Sequence, residues 1–219
     1  MQKMASKKNL IYEEILGRLF EGRYRFGAPI PVKEISEDTG ASRNPIMAAL
    51  YRLQDNGFVR ITAQVGCRVV EPTFDEISDF YRMFAATEGL IGELAAERAT
   101  PDDLAKLRAI NQQIAEIDNT KPDAARLYQQ LNVRFHKQLH AMARSPIVCS
   151  RQLANFELSD FYLVQTEGFK AHIGLVYAEH QEIIDAIAEH QCEKAGTQAK
   201  MHIDSVARTL LEHLKLTTG

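Results

Sequence analysis

Residues 31–70, PVKEISEDTGASRNPIMAALYRLQDNGFVRITAQVGCRVV, decide how this chain is read. They divide into two short helical segments around a tight turn, followed by a glycine-tipped hairpin. In the first segment Val32 and Ile35 face inward among charged neighbours, and Gly40 stands where a left-handed residue commonly ends a helix. Ser42 suits the N-cap of the second segment, and Pro45 falls in its first turn, where a missing N–H costs nothing. Ile46, Leu50 and Leu53 share one face at spacings of four and three, which predicts burial. The opposite face carries Asn44, Met47, Ala48 and Tyr51, with Arg43 at its N-terminal rim. Gly57 closes this helix, and Phe58–Ile61 and Arg68–Val70 are expected to pair as strands around a turn at Gly66. The order describes a winged helix-turn-helix, a module that lays one helix in the major groove of duplex DNA. A helical hairpin with no nucleic-acid role is the plainer alternative.

Upstream, Leu10, Ile11, Ile15, Leu16 and Leu19 form an amphipathic stripe, and Gly22 to Pro31 reads as a loop with two glycines and two prolines. Downstream, Glu71-Pro72-Thr73 punctuates the chain, so a DNA-binding domain over 1–72 and a second domain over 73–219 are expected. From Phe74 onward the pattern is helical throughout. The first of six helices runs to about Arg98, with Ile77, Phe80, Tyr81, Phe84, Leu90, Ile91 and Leu94 on its core side. Thr100-Pro101-Asp102-Asp103 is a strong start signal for the next, expected to end near Asn119. Pro122 opens the third, to about Ala143, and Ser145-Pro146 the fourth, to about Gly168. The last two span about His172–His190 and Cys192–Leu216. The fold class is therefore mainly α: a winged helix followed by an antiparallel bundle of six helices.

Composition fits this division. Hydrophobic residues make up 45% and charged residues 25%, as in ordinary globular proteins. No apolar run approaches the roughly 18 residues of a membrane span, and the N-terminus lacks the apolar core of a signal peptide. Three scattered cysteines, Cys67, Cys149 and Cys192, fit a reducing cytoplasm. Residues 1–72 hold 11 Lys and Arg against 8 Asp and Glu, whereas the rest holds 15 against 21. A cationic module on an acidic body is the asymmetry a DNA-facing N-terminus requires.

All seven histidines follow residue 130. Asn132 and His136 lie one turn apart, beside the stripe of Tyr128, Leu131, Phe135 and Leu139. His180 sits within the column Val176, Ile183, Ile184 and Ile187; His202 sits within Ala195, Ala199, Val206 and Leu210. His180 precedes the turn expected near Gln191 by about ten residues, roughly 15 Å of helix, and His202 follows it by a similar length. An antiparallel hairpin thus brings the two to one level. Each histidine alone is more often a hydrogen-bonded core residue than a ligand. Three at matching levels, with an oxygen from Asn132, make a set that suits a divalent transition metal, zinc or nickel first. His140 is the rival ligand, while His172, His190 and His213 sit near helix ends, where solvation is expected. No carboxylate in these columns offers itself as a general base.

The segment GASRNPIMAALYRLQDNGFVR resembles the signature of the GntR family of bacterial transcription regulators, and IYEEILGRLFEGRYRFGAPIP resembles the helix and linker before it. The resemblance implies that Lys33, Ser42, Arg43, Asn44 and Gly66 contact DNA, with Met47 and Tyr51 also facing the groove. Met47 and Ala48 replace a usual arginine and glutamate, so the sequence read should differ from the family's commonest operators. The remainder is similar to the FCD effector domain of the FadR-type branch, and with six helices to its VanR-like subgroup. NVRFH at 132–136, EHQEIIDAIAEH from 179 and KMHIDSVA from 200 match its ligand pattern, with Asn132 in place of a usual aspartate. Where family members often carry an effector-gripping arginine four residues before the position of Glu88, this chain has Phe84; Arg82 lies about 200° around the helix from that place.

The resemblance implies a cytoplasmic, homodimeric, metabolite-responsive repressor of a short palindromic operator, sensing a small organic acid at a metal-centred cavity. Two alternatives stand beside it: the same regulator with a purely structural metal, and a metal-dependent hydrolase.

Overall fold

The computed structural model describes residues 7–121, 123–166 and 169–218, with side chains over 9–121, 123–166 and 175–214. Among these the chain forms two compact units. One runs through Thr73 and includes Asp160–Gln165; the other holds Phe74–Ser159 and the chain from Thr166.

The first unit contains α1 (Lys7–Phe20), α2 (Val32–Thr39), α3 (Arg43–Asp55) and the antiparallel hairpin β1 (Val59–Thr62) and β2 (Gly66–Val69). Ile35, Ile46, Leu50, Leu53 and Phe58 are completely buried together with Ile15 and Leu19 of α1. Leu10 was expected in the same stripe, but it is 57% exposed. Ile11, Ile15 and Leu19 define the buried line at a spacing of four, and Leu10 lies about 100° off it. Gly40 has φ 62° and ends α2, where the Thr39 hydroxyl caps back onto the Ile35 carbonyl. Ser42 does occupy the N-cap of α3 in extended conformation, yet its side chain makes no capping bond. The strands are shifted slightly from the expected ones, with Gly66 (φ 119°) opening β2 rather than sitting between strands.

The second unit contains α4 (Phe74–Arg98), α5 (Pro101–Ala115), α6 (Ala124–Ala143), α7 (Pro146–Thr166), α8 (Phe169–Ala188) and α9 (Cys192–Thr218); the last turn of α7, from Asp160, groups with the first unit, where Phe161 packs edge-on to Phe26 and Phe58. The core runs through Ile91, Leu107, Phe135, Leu139, Ile183 and Ile187. Small residues let α4 and α9 approach closely: a Cβ on Gly92 would lie 2.7 Å from the Ala195 carbonyl oxygen. Leu90, expected on the core side, is 43% exposed, because the buried line of α4 passes through Phe84, Glu88, Ile91 and Ala95. Helix α5 stops at Ala115 rather than near Asn119, since Asp118 Oδ1 captures the Thr120 amide in a local turn. The expected boundaries at Pro122 and Gly168 fall outside the described residues.

Helix α5 begins with a capping box: the Thr100 hydroxyl accepts from the Asp103 amide, and Asp103 Oδ2 accepts from the Thr100 amide. Arg144, in the left-handed conformation that ends α6, donates to the same oxygen at 2.7 Å. Chiefly through that Arg144 bond, and then the Thr100 bonds, the Asp103 carboxyl is lowered to about 2. A carboxylate depressed by folding adds stability above its ordinary pKa near ~4, and that stability is lost as pH falls through the folded value. Asp103→Asn should therefore unfold at a lower temperature than the wild type at pH 6, with the two converging near pH 2. An equal gap at both pH values would contradict the linkage.

Candidate nucleic-acid interface and metal centre

In the first unit, α3 presents Arg43, Asn44 and Tyr51 to solvent, with Met47 and Ala48 half-buried between them. Ser42 precedes them, exposed, and Lys33 of α2 is exposed with Glu37 3.7 Å away. The helix is held from behind. The Arg52 guanidinium lies 3.7 Å over the Tyr12 ring, and Asn56 donates to the Tyr12 hydroxyl. Gln54 Oε1 accepts from the Ile61 amide, which ties β1 to α3, while Ile30 and Val69 exchange bonds with Cys67 and Ala28 on the far side of β2. Scaffold and hairpin are thus fixed by side-chain contacts behind α3 and backbone bonds along β2.

In the second unit, His136 of α6, His180 of α8 and His202 of α9 converge, and one nitrogen from each lies within 4.8 Å of the others. All three are at most 2% exposed. The α8–α9 turn does this as the spacing predicts: His190 adopts φ 54°, the Gln191 amide returns to the Ala186 carbonyl, and α9 runs back beside α8. The His180 ring stacks on Phe135 with centroids 3.6 Å apart, and the His136 ring lies 4.2 Å from that of Phe156. Asn132, one turn before His136, is buried, and its Oδ1 has no hydrogen-bond partner.

A carboxylate that sequence reasoning passed over organises the cluster. Glu88 of α4 is fully buried; its Oε1 is 2.9 Å from His136 Nδ1, and its Oε2 is 3.1 Å from His140 Nε2 and 2.7 Å from Gln152 Nε2. Burial alone would raise the Glu88 pKa, but the two imidazoles outweigh it and hold the group well below the usual carboxylate range. Burial also lowers His136 to about 4 against the opposing pull of Glu88, so its ring is neutral at neutral pH. An ionised carboxylate can only accept, so His136 donates from Nδ1 and its Nε2 lone pair is left buried without a hydrogen-bond partner. His202 Nδ1 is fixed similarly by Glu179 Oε2 at 2.7 Å, which turns its Nε2 the other way. Carboxylate-oriented imidazoles are the usual surroundings of a metal site. Glu88 could have been suspected: it interrupts the apolar stripe Tyr81, Phe84, Ile91, Ala95 at helical spacing.

The structure therefore brings His136, His180 and His202 to one place, leaves Asn132 buried one turn before His136, and directs His140 to Glu88 instead. Arg82 is not brought there; it is exposed and pairs with Asp79 at 3.2 Å. Phe84 is completely buried, with its ring edge-on to Phe156. His190 is exposed at the end of α8, and its Nδ1 meets the Ala96 carbonyl at 2.8 Å. The side chain of His172 lies outside the described residues.

A winged helix followed by a helical unit with a buried histidine cluster is an architecture found among transcription regulators. Residues 7–69 match the family described as bacterial regulatory proteins, gntR family, and residues 79–205 match the FCD domain. The chain belongs to the GntR family, in its FCD-bearing form, and is a regulator rather than an enzyme. It is 25% identical over 232 residues to the HTH-type transcriptional repressor NanR of Salmonella schwarzengrund (strain CVM19633), covering 94% of this chain and 86% of that one. It is likewise 25% identical over 217 residues to the galactonate operon transcriptional repressor of Escherichia coli (strain K12), covering 89% and 93%. Its fold is similar to that of a GntR regulator from Rhodococcus sp. RHA1, with a TM-score of 0.76 at 19% identity over 95% of this chain and 99% of that one. E. coli McbR/YncC gives a TM-score of 0.74 at 18% identity, with the same coverage.

Glu88→Ala would leave two imidazoles and an amide facing an empty, buried acceptor position. Leaving a buried donor without its acceptor costs about 1–3 kcal/mol, and three donors lose theirs here, a loss that urea unfolding would read directly. A loss below about 1 kcal/mol, typical of an exposed pair, would show that Glu88 is not the hub described.

Proposed function

We propose that this protein is a metabolite-responsive repressor whose helical unit holds a divalent metal, zinc or nickel, on His136, His180 and His202 with Asn132 Oδ1 beside them. The observation that carries the reading is the convergence of three buried imidazoles from three helices, two of them oriented by carboxylates. Metal–nitrogen bonds of about 2.1 Å would require the rings to close in slightly, which leaves the helices where they are. A metal held there supplies a Lewis-acid centre for the carboxylate of a small organic acid. Phe84 and Phe156 would form an apolar wall behind that ligand, and Gln152 and His140 its polar edge. One relative is named for the galactonate operon, and galactonate is a sugar carboxylate. Ligand binding would act by favouring one of two states of the regulator, since it shifts an equilibrium only through differential affinity. The working form is a cytoplasmic homodimer on a short palindromic operator, with Arg43, Asn44 and Tyr51 reading the groove and Lys33, Ser42 and Gly66 at the backbone.

One observation favours the second reading, a structural metal without effector. No arginine or lysine is buried among the described side chains of the helical unit, so an acid would have only the metal and neutral donors to hold it. A water-activating site has no such support, because each Glu88 oxygen already accepts hydrogen bonds.

Two measurements bear on this. Arg43→Ala should abolish operator binding in a gel-shift assay at fixed salt while its circular dichroism stays that of the wild type; unchanged affinity would refute the groove assignment. Zinc or nickel added to metal-stripped protein at a hundredfold excess over Kd should add about 2.7 kcal/mol, a rise of roughly 5–10 °C in melting temperature for a domain of this size. His180→Ala or His202→Ala should remove that rise, and a wild type that neither contains metal nor responds to it would end the metal assignment.

A further inference from the structure

Residues at the C-terminal end of α6 and the start of α7 line a cleft of about 370 Å³, within the size range of small-molecule sites. Its polar side has two uncommitted groups. Lys137 is exposed and makes no ion pair among the described residues, and the Ser145 hydroxyl, just before α7, makes no hydrogen bond among them. Helix α7 is 21 residues long and begins at Pro146, so the positive end of its backbone dipole opens on the same cleft. The apolar side is formed by Ala141, Pro146 and the half-buried Leu153. Arg144 also lies there, but its guanidinium is committed to Asp103 and to the carbonyls of Arg98 and Met142. No carboxylate lines the cleft, although it lies in the more acidic part of the chain. The remaining wall is His140, whose side chain is only 6% exposed. Its Nε2 is held 3.1 Å from Glu88 Oε2, while no hydrogen bond engages its Nδ1 among the described residues. A nearly buried ring nitrogen ordinarily has a partner, and in the wall of a cleft an occupant can supply it.

We propose that this cleft is a second ligand site of the helical unit, taking a small organic monocarboxylate with an apolar body. It goes beyond the metal-centred reading, because none of His136, His180, His202 and Asn132 lines it and it needs no metal. Lys137 and Ser145 hold the carboxylate at the positive end of α7, where charge-assisted hydrogen bonds and the dipole act together. Ala141, Pro146 and Leu153 cover the body of the ligand, and His140 meets its inner edge. One uncommitted ammonium suits a single negative charge, and the apolar side favours an organic anion over a bare inorganic one. A merely solvated groove would not distinguish an anion from a neutral molecule of the same shape.

The test titrates the full-length protein with benzoate and with benzamide, its neutral counterpart of the same shape, by saturation-transfer NMR. Each titration is run in EDTA and again with excess zinc. Benzoate should saturate with a Kd below about 10 mM in both, and benzamide should bind about tenfold more weakly or worse. Lys137→Glu should weaken benzoate by about tenfold or more, since it sets a like charge against the carboxylate, whereas Lys137→Arg should stay within about twofold of the wild type. Both variants should keep the wild-type circular dichroism, because Lys137 is exposed. Equal binding of benzoate and benzamide, or full affinity in Lys137→Glu, would overturn the proposal. Benzoate binding that appears only with zinc and ignores Lys137→Glu would put the anion on the metal, so that the cleft is wrong and the metal reading stands. Binding in EDTA that Lys137→Glu removes, in a protein that takes up no zinc, would support the cleft while the metal reading fails.

Discussion

One buried carboxylate governs the helical unit. Glu88 lies in the middle of the core face of α4, where an isolated charge would be prohibitive. It is tolerated because α6 supplies two imidazoles and α7 an amide, all donating to its two oxygens. Three helices are thereby locked in rotation about their own axes, since a turn of any one would strand a donor or the charge. The close α4–α9 approach through Gly92 and Gly196 sets the remaining side of the same enclosure.

That constraint also prepares the histidine cluster. By accepting from His136 Nδ1, Glu88 fixes the tautomer and aims Nε2 into the space shared with His180 and His202. Glu179 does the same for His202 from the partially exposed side. A core that needed only stability would be better filled by hydrophobic residues of similar size, because buried ionic networks are poor stabilisers. Retaining such a network around buried nitrogen lone pairs makes sense when something binds them.

The DNA-facing unit follows a different economy. Its interior is conventional, and its unusual features are on the surface: a recognition face with Met47 and Ala48 in the middle, and a hairpin face with two opposed arginines.

Much of this was legible in the chain itself. Local chemistry placed the turn at Gly40, the burial of Ile46, Leu50 and Leu53, the capping box at Thr100 and the level of His180 with His202, because each depends on spacing along one or two adjacent elements. Leu10 and Leu90 were misjudged, since a stripe gives the side of a helix but not how wide its partner is. The place of Glu88 in an apolar stripe could raise suspicion, but its role could not be read, because its partners His136, His140 and Gln152 are 48 to 64 residues away. The pairing of Arg60 with Arg68 likewise needed a register, which shifts every outward neighbour when it moves by one residue. The sequence by itself determined the elements, their order and the ligand types; only the tertiary structure decided which buried charge holds them and which charges stand face to face.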